Sequence, residues 1–240
     1  MKTLNKIELK KIYTLASDIV KNCKNEKYQY IYLDSTAARA TDEYRLGAYK
    51  GYFFEKKIAI PYEIIKVVKS VNPVKVDVDL KENKIELRLI DKNDSEIFTI
   101  TFNEPNITLP IFNLIEQQLN DYIDCMEFGV QDLKRALETN AVYSNECIFD
   151  LMDSETKLIS VKNDNDKILH TTYIKGVKKT RPFKIVLNPN FILDYLKKCT
   201  KSLNVKIEFR NSSCFIHMKE YMDAYRCIIM PIALREVEND

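Results

Sequence analysis

Two hydrophobic periodicities alternate along this chain of 240 residues. Apolar residues recur at three- and four-residue steps over 6–24, 61–71 and 130–139, and again after Asn188-Pro189, and this spacing predicts four amphipathic helices. We expect the first helix to bury Leu9, Ile12, Leu15, Ala16, Ile19, Val20 and Cys23. We expect the second to bury Ile64, Val67, Val68 and Val71. Pro61 and Pro189 suit a first helical turn, where a missing N–H costs nothing.

Most of the remaining chain alternates apolar and polar residues, which predicts β-strands. The clearest strands lie at 74–80, 84–90, 96–102, 147–152, 157–161, 168–177, 183–187, 205–209, 214–219 and 225–232. One order of strands and helices occurs twice, over 6–102 and over 125–232, which indicates an internal duplication. We therefore predict an α+β fold of two domains, 1–122 and 123–240. Each domain is a duplicated β-α-β-β-β unit, with two helices on one side and sheets on the other.

Composition narrows the possible classes of protein. Hydrophobic residues make up 45% of the chain and charged residues 30%, so the chain can form a packed core. A net charge of +2 does not by itself indicate a nucleic-acid binder. No apolar run approaches the roughly 18 residues of a membrane span, and the first residues lack the apolar segment of a signal peptide. We expect a cytoplasmic protein.

Catalytic and metal-binding patterns are not found in the sequence. The six cysteines are scattered without a C-x-x-C pair, so we interpret them as reduced thiols, and the two histidines are not at zinc-site spacing. Four glycines cannot build a glycine-rich phosphate loop. We therefore predict no catalytic residue, no metal and no cofactor. An enzyme on an unrelated α+β fold is the weakest of the alternatives.

Each predicted helix carries basic residues opposite its apolar face. They are Lys10, Lys21, Lys66, Lys69, Lys134, Arg135, Lys197, Lys198 and Lys201. Two interpretations stay open. Surface helices of a lysine-rich protein commonly have this pattern, but four such helices facing one cavity would contact DNA phosphates without reading base sequence.

Several short motifs, in order along the chain, resemble those of one family. Residues 40–46 are similar to the motif A-T-D-G-H-R-L, with Glu43-Tyr44 in place of Gly-His, and 229–234 are similar to V-M-P-M-R-L. Residues 109–112 and 188–196 match two further family segments more weakly. The family is the bacterial replicative sliding clamp, the beta subunit of the replicative DNA polymerase. The resemblance covers its middle and C-terminal domains.

This resemblance implies an apolar groove between the two domains that binds short peptides of polymerases, clamp loaders and repair proteins. One side, called here the first wall, would consist of Thr41, Tyr44, Arg45 and Leu46. The second wall would consist of Ile228, Met230, Pro231 and Ile232. Methionine and branched aliphatic side chains form an adaptable surface, and we expect Arg45 and Thr41 to hold polar atoms of the peptide. Without the first wall, 228–232 would be interpreted as an ordinary core strand.

The chain has no counterpart of the family's N-terminal domain. Clamp rings contain six domains, as two chains of three or three chains of two, so the resemblance implies a homotrimer. The leading hypothesis is a DNA sliding clamp, a processivity factor that encircles duplex DNA and has no enzymatic activity. The main alternative is a clamp-like adaptor or decoy that binds clamp-interacting peptides without encircling DNA.

Overall fold

The computed structural model describes residues 1–106, 124–151, 156–162, 167–175, 177–178, 183–198, 203–209, 216–219, 225–230 and 232. The chain divides into two compact units, Met1–Pro110 and Ile111–Asp240. The predicted domain boundary between 122 and 123 falls outside the described residues and stays a prediction. Within the part of the chain described, no helix is long and apolar enough to cross a membrane.

The first unit contains eight described strands and two α-helices. In chain order they are β1 (Lys2–Leu4), α1 (Lys6–Leu15), β2 (Tyr30–Leu33), β3 (Ala37–Thr41), β4 (Arg45–Lys50), β5 (Ile58–Pro61), α2 (Tyr62–Val71), β6 (Lys75–Lys81), β7 (Lys84–Ile90) and β8 (Glu96–Asn103). A π-helical turn (Ala16–Val20) continues α1, and a short 3₁₀ turn (Glu26–Tyr28) precedes β2.

These strands form two antiparallel groups, and each group takes strands from both halves of the unit. One has the order β1-β6-β7-β8, so the strand before α1 pairs with the strand after α2. In the other, β5 pairs with β2, which pairs with β3 and then β4, so the strand before α2 pairs with the strand after the first helical segment. The two β-α-β-β-β halves therefore exchange their first strands.

The second unit repeats this order. Its elements are β9 (Asp124–Gly129), α3 (Val130–Tyr143), β10 (Cys147–Leu151), β11 (Thr156–Lys162), β12 (Lys167–Ile174), β13 (Val177–Lys178), β14 (Phe183–Leu187), α4 (Pro189–Leu196), β15 (Asn204–Phe209), β16 (Ile216–Lys219) and β17 (Tyr225–Ile229). The strand β9 pairs with β15, and β14 pairs with β10, which is the same exchange of first strands. The predicted α+β fold of duplicated β-α-β-β-β units is confirmed.

The first predicted helix, 6–24, is two elements. A capping box begins α1, because the side chain of Asn5 accepts from the backbone of Ile7 and Glu8 while Glu8 accepts from the backbone of Asn5. The α-helical hydrogen bonding ends at Leu15, and the bond from the Lys21 N–H to the Ala16 carbonyl, 2.9 Å long, closes a π turn. The apolar pattern did not reveal this widening, because the buried face continues through it.

The predicted buried face of the second helix was right at Val68 and wrong at Val67. Ile65 and Val68 are the buried residues of α2, whereas Val67 is exposed. Adjacent residues are about 100° apart on a helix, and packing of α2 against β5 and α1 selects the face centred on Ile65 and Val68. The third helix is longer than predicted and runs to Tyr143. The polar Asn140 does not end the helix, because its side chain is buried and accepts a hydrogen bond from the Ser160 hydroxyl.

Candidate functional site

The first wall is a tight turn between two buried strands, β3 and β4. The side chain of Asp42 accepts hydrogen bonds from the backbone N–H groups of Tyr44, at 3.2 Å, and Arg45, at 3.0 Å. The Asp42 N–H donates to the Arg45 carbonyl at 3.3 Å, so two residues, Glu43 and Tyr44, connect the strands. Glu43 has a φ of 80°. Positive φ at the first central residue is typical of a type II′ turn, where glycine is preferred.

The Arg45 side chain is 7% exposed and binds the protein's own groups. Its Nε donates to the Asp42 carboxylate at 2.7 Å, and its terminal nitrogen donates to the carbonyl of Asp18 at 2.6 Å. Asp18 lies in the π turn after α1, so the widened turn supplies the acceptor that holds this guanidinium. The hydroxyl of Thr41 donates to the Arg45 carbonyl at 2.9 Å.

These contacts give the four residues of the first wall different roles. Thr41 and Arg45 stabilise the turn, and the expectation that they also hold peptide atoms stays a prediction. Leu46 is buried. Tyr44 is 59% exposed and presents an aromatic ring at the tip of the turn. Tyr44 is therefore the first-wall side chain that a ligand can reach most readily.

A second buried ion pair lies at the other end of β3, at the turn between β2 and β3. Arg39 of β3 donates to the carboxylate of Asp34 at 2.7 Å, and its side chain is almost fully buried. Burial alone would raise the pKa of Asp34, but hydrogen bonds from the hydroxyl and N–H of Thr36, the N–H of Ala37 and the Arg39 guanidinium hold this pKa below its ordinary value. The carboxylate is therefore charged whenever the unit is folded near neutral pH.

The second wall is the last described strand and the residues after it. Ile228 is buried in β17, whereas Met230 directly after the strand is 45% exposed. The N–H of Ile232 donates to the Val186 carbonyl at 2.9 Å, which attaches the chain to β14 beyond Met230. Pro231 lies outside the described residues. Met230 is therefore an apolar side chain held between two anchored segments.

Three predicted DNA-contacting lysines of the first unit lie around one groove. Lys21 follows the π turn, and Lys66 and Lys69 lie on α2. Together with Tyr13, Ala16, Ser17, Tyr62, Ile65 and Ser70 they line a groove of about 430 Å³. Lys66 also makes an ion pair of 2.6 Å with Glu63. Lys10 is exposed on α1 and does not line this groove.

Tyr13 brings a buried hydroxyl group to the groove. Its hydroxyl oxygen is buried and has no hydrogen-bond partner within the described part of the chain. Burial raises the pKa of Tyr13 to about 12. The hydroxyl is therefore a neutral donor at physiological pH, beside three cationic side chains.

The basic residues of the second unit are more dispersed. The Lys134 ammonium lies 3.8 Å from the Glu138 carboxylate, and the Lys197 ammonium lies 3.0 Å from the Asp194 carboxylate. Each carboxylate is three or four residues from its lysine along the chain. Arg135 is exposed and lines a different groove, against β12. Lys198 is half-buried, and Lys201 lies outside the described residues.

Comparison with known proteins yields structural matches only, since neither a family model nor a curated sequence matches. The DNA polymerase III beta subunit of Thermotoga maritima is 17% identical with a TM-score of 0.79, over 97% of this chain and 65% of that one. The beta subunit of Borrelia burgdorferi, solved with a natural product, is 14% identical with a TM-score of 0.80, over 97% and 62%. A Bartonella birtlesii sliding clamp bound to griselimycin is 17% identical with a TM-score of 0.77, over 97% and 65%.

The chain has the sliding-clamp fold. The resemblance proposed from the sequence motifs is thus confirmed for the fold, although only 14% to 17% of the residues are identical. This chain spans a little under two thirds of the length of the clamps to which it was compared.

Sequence reasoning missed two features of this clamp-fold chain. It did not identify Asp42 and the Asp18 carbonyl as the partners of Arg45, or Tyr13 and Tyr62 as lining residues of the lysine groove. An aspartate three residues before an arginine in a short turn was a usable signal for the first. No local signal existed for the groove, because it lies between helices separated by about forty residues.

Proposed function

We propose that this protein is a DNA sliding clamp that acts as a processivity factor, an accessory protein of a DNA polymerase. The observation that carries the proposal is the clamp fold over 97% of the chain, with TM-scores of 0.77 to 0.80. Tethering a polymerase to a ring around DNA makes rebinding a local event at high effective concentration. Catalysis is not part of the proposal, and the cytoplasm is the expected location.

The proposed partner site is a groove formed by the first wall and the second wall, which receives short peptides of a polymerase or clamp loader. Tyr44 and Met230 are the exposed members, and aromatic and methionine side chains commonly anchor such ligands. Leu46 and Ile228 are buried and would form the apolar base. The first wall's internal hydrogen bonds favour binding, because an already ordered turn loses little entropy when a peptide binds.

The proposed DNA contact is the lysine groove of the first unit together with the basic residues of α3 and α4. Lysine side chains beside DNA neutralise phosphates and release counterions, so affinity falls as salt rises. The groove is lined by three lysines, whose ammonium groups can contact phosphate oxygens. Two clamp units per chain and six per ring give a homotrimer as the proposed assembly.

Light scattering and retention on circular DNA test the ring. The expected mass is three times the 28.2 kDa of one chain. Protein loaded on nicked circular DNA should stay bound through gel filtration and be released when the DNA is linearised. A particle of one chain mass at high concentration, with no retention, would contradict the ring.

Charge reversal tests the lysine groove. Replacing Lys21, Lys66 and Lys69 with glutamate should lower the slope of log affinity against log salt by up to about 3, roughly one per lost phosphate contact. Lys50, Lys84 and Lys92 are exposed lysines of the same unit outside the groove and provide a control with the same change in charge. An equal effect of both triple variants would show that only net charge matters.

One observation favours the adaptor or decoy as a second candidate. Lys66, Lys134 and Lys197 are each engaged by a carboxylate on their own helical segment, which reduces the charge available to phosphates. If a polymerase peptide binds with the same affinity at all salt concentrations tested and circular DNA is not retained, the adaptor is the correct function.

A further inference from the structure

The sulfur atoms of this chain differ widely in their exposure. The sequence contains six cysteines and six methionines. Within the described part of the chain, Met1 and Met230 are exposed, at 82% and 45%, whereas Met126 and Met218 are buried. A thioether needs no deprotonation to react with a peroxide, but the oxidant must reach the sulfur. Exposure therefore decides which of these methionines can be oxidised.

The described cysteines are poor targets for the same oxidants. Three of the four are buried, namely Cys125, Cys147 and Cys227. Burial raises the pKa of the Cys147 thiol to about 12. Cys23 is half-buried, and burial together with the carboxylates of Asp42 and Glu43 raises the pKa of its thiol as well. The thiolate is the reactive form, so Cys23 and Cys147 are protonated and slow to react near neutral pH.

The two exposed methionines lie in different surroundings. The Met1 sulfur accepts a hydrogen bond from the Arg88 guanidinium at 2.9 Å and belongs to neither wall. Met230 directly follows β17, which pairs with β16, and the Ile232 N–H attaches the chain to β14 two residues later. The Met230 side chain is therefore exposed on a backbone that is held on both sides, within the second wall.

We propose that Met230 is a site of reversible oxidation, and that its conversion to the sulfoxide by a peroxide weakens binding of the partner peptide. This proposal rests on the proposed function, because the site that it regulates is the partner groove. The thioether sulfur attacks one oxygen of hydrogen peroxide, so that an S–O bond forms and the O–O bond breaks. The sulfur loses two electrons, and the departing hydroxide takes the proton of the transferred hydroxyl and becomes water.

A sulfoxide differs from a thioether in polarity more than in size. Its S–O group is a strong hydrogen-bond acceptor, so its burial against an apolar peptide without a donor is unfavourable. Ile228, at the base of the proposed groove, is buried and has an aliphatic side chain that supplies no donor. Because the Met230 side chain is exposed in the chain without a peptide, the sulfoxide leaves the core undisturbed. Oxidation should therefore reduce peptide affinity and spare folding.

The test follows oxidation and peptide affinity in the same samples of the full chain. Hydrogen peroxide is added in steps, and mass spectrometry of proteolytic fragments gives the oxidised fraction of each methionine. Fluorescence anisotropy gives the affinity for a labelled polymerase peptide. Met230→Leu keeps an apolar side chain and removes the sulfur. Met222→Leu is the matched control, because it removes another methionine of the same unit, at a position outside the described residues.

We expect the peptide affinity of the wild type to fall by about fivefold or more as Met230 is oxidised. The affinity of Met230→Leu should be equal before and after peroxide, whereas Met222→Leu should respond as the wild type does. Thermal unfolding should be the same before and after treatment. Methionine sulfoxide reductases A and B with dithiothreitol should restore the affinity. Dithiothreitol alone should not restore it, which excludes oxidised cysteine as the cause.

Protection by the peptide gives a second measurement. A saturating concentration of unlabelled peptide should slow the oxidation of Met230, because the bound peptide covers the sulfur. Met1 is the internal reference, since it is exposed and belongs to neither wall, and its rate of oxidation should not change. Equal rates at Met230 with and without the peptide would contradict the proposal.

Three further results would overturn it: resistance of Met230 to peroxide, unchanged affinity of the wild type when Met230 is fully oxidised, or equal peroxide sensitivity of Met230→Leu. In each of these cases the untreated wild type still binds the peptide, so the proposed partner site stands. A wild type that does not bind the peptide before peroxide is added would contradict the proposed function, and the oxidation proposal with it.

Discussion

The first wall and the second wall differ in what holds them in place. The first wall is a polar turn in which Asp42 and Arg45 bind each other and the backbone around them. The second wall is apolar, and backbone pairing anchors it on both sides of the exposed Met230. The motif residues of the first wall are therefore mostly structural, whereas Met230 is available to a ligand.

Residues of a motif that is associated with binding can thus serve mainly to hold a turn in place. A guanidinium that is 7% exposed and bound to a carboxylate and a carbonyl has little capacity left for a peptide. The exposed methionine has no polar requirement and can adapt to several ligands. Substitutions in the two walls can separate these two roles.

The Asp42→Ala variant should destabilise the protein strongly. It leaves the buried Arg45 without its carboxylate, which typically costs about 3–5 kcal/mol of unfolding free energy. Urea denaturation measures this loss. Asp91 provides the control, because its carboxylate caps a similar turn through Asn93 and Ser95 but pairs with no buried arginine. Asp91→Ala should cost about 1 kcal/mol, and equal losses would show that the Arg45 ion pair is not the reason.

The Met230→Asp variant should affect binding and spare stability. A carboxylate in an apolar contact should weaken a polymerase peptide by about tenfold or more, or about 1.4 kcal/mol. Because Met230 is 45% exposed, the unfolding free energy should change by no more than about 0.5 kcal/mol. Fluorescence anisotropy with a labelled peptide measures the affinity. Val142→Asp, at a more exposed apolar site of the same unit, should leave binding unchanged.

The Glu43→Gly variant should stabilise the first wall. Glu43 has a φ of 80°, which costs a residue with a side chain about 1 kcal/mol relative to glycine. Loss of the hydrogen bond from the Asn25 amide to Glu43 on the exposed surface offsets part of the gain. Thermal unfolding should therefore show a net gain below about 1 kcal/mol. Glu55→Gly, at an exposed position without positive φ, should be destabilising, and a loss at both positions would contradict the strain.

Acid should weaken the Asp34–Arg39 ion pair at the other end of β3, and this is the smallest of the expected effects. The pKa of Asp34 is lowered in the folded chain, so its contribution to stability is present above its unfolded value, about pH 3.9, and is lost as pH falls through the folded value. Urea midpoints at pH 7 and at pH 3 measure the difference. The difference between the two urea midpoints should be smaller in Asp34→Asn than in the wild type. An unchanged difference would show that other carboxylates cause the acid sensitivity.

Much of the fold could be predicted because its signals are local in the sequence. The alternation of 84–90 gave the strand bounds without error, and the capping residue Asn188 with Pro189 marked the start of α4. The prediction for the second helix placed Val67 on the buried face, where it does not lie. Val67 and Val68 are equally apolar, so only the surface against which the helix packs determines which of them is buried. The site was predicted less well. Arg45 was recognised as important, but its partner Asp18 lies 27 residues away.

The sequence by itself determined the secondary-structure elements and their repeated order, because hydrophobic period and capping depend on neighbouring residues. It also supplied the motifs that led to the clamp fold. Only the tertiary structure decided which strands pair, including the exchange of first strands between the halves of each unit. Only the tertiary structure showed that Arg45 is bound by groups of the protein itself. These properties depend on contacts between distant residues, which no local pattern specifies.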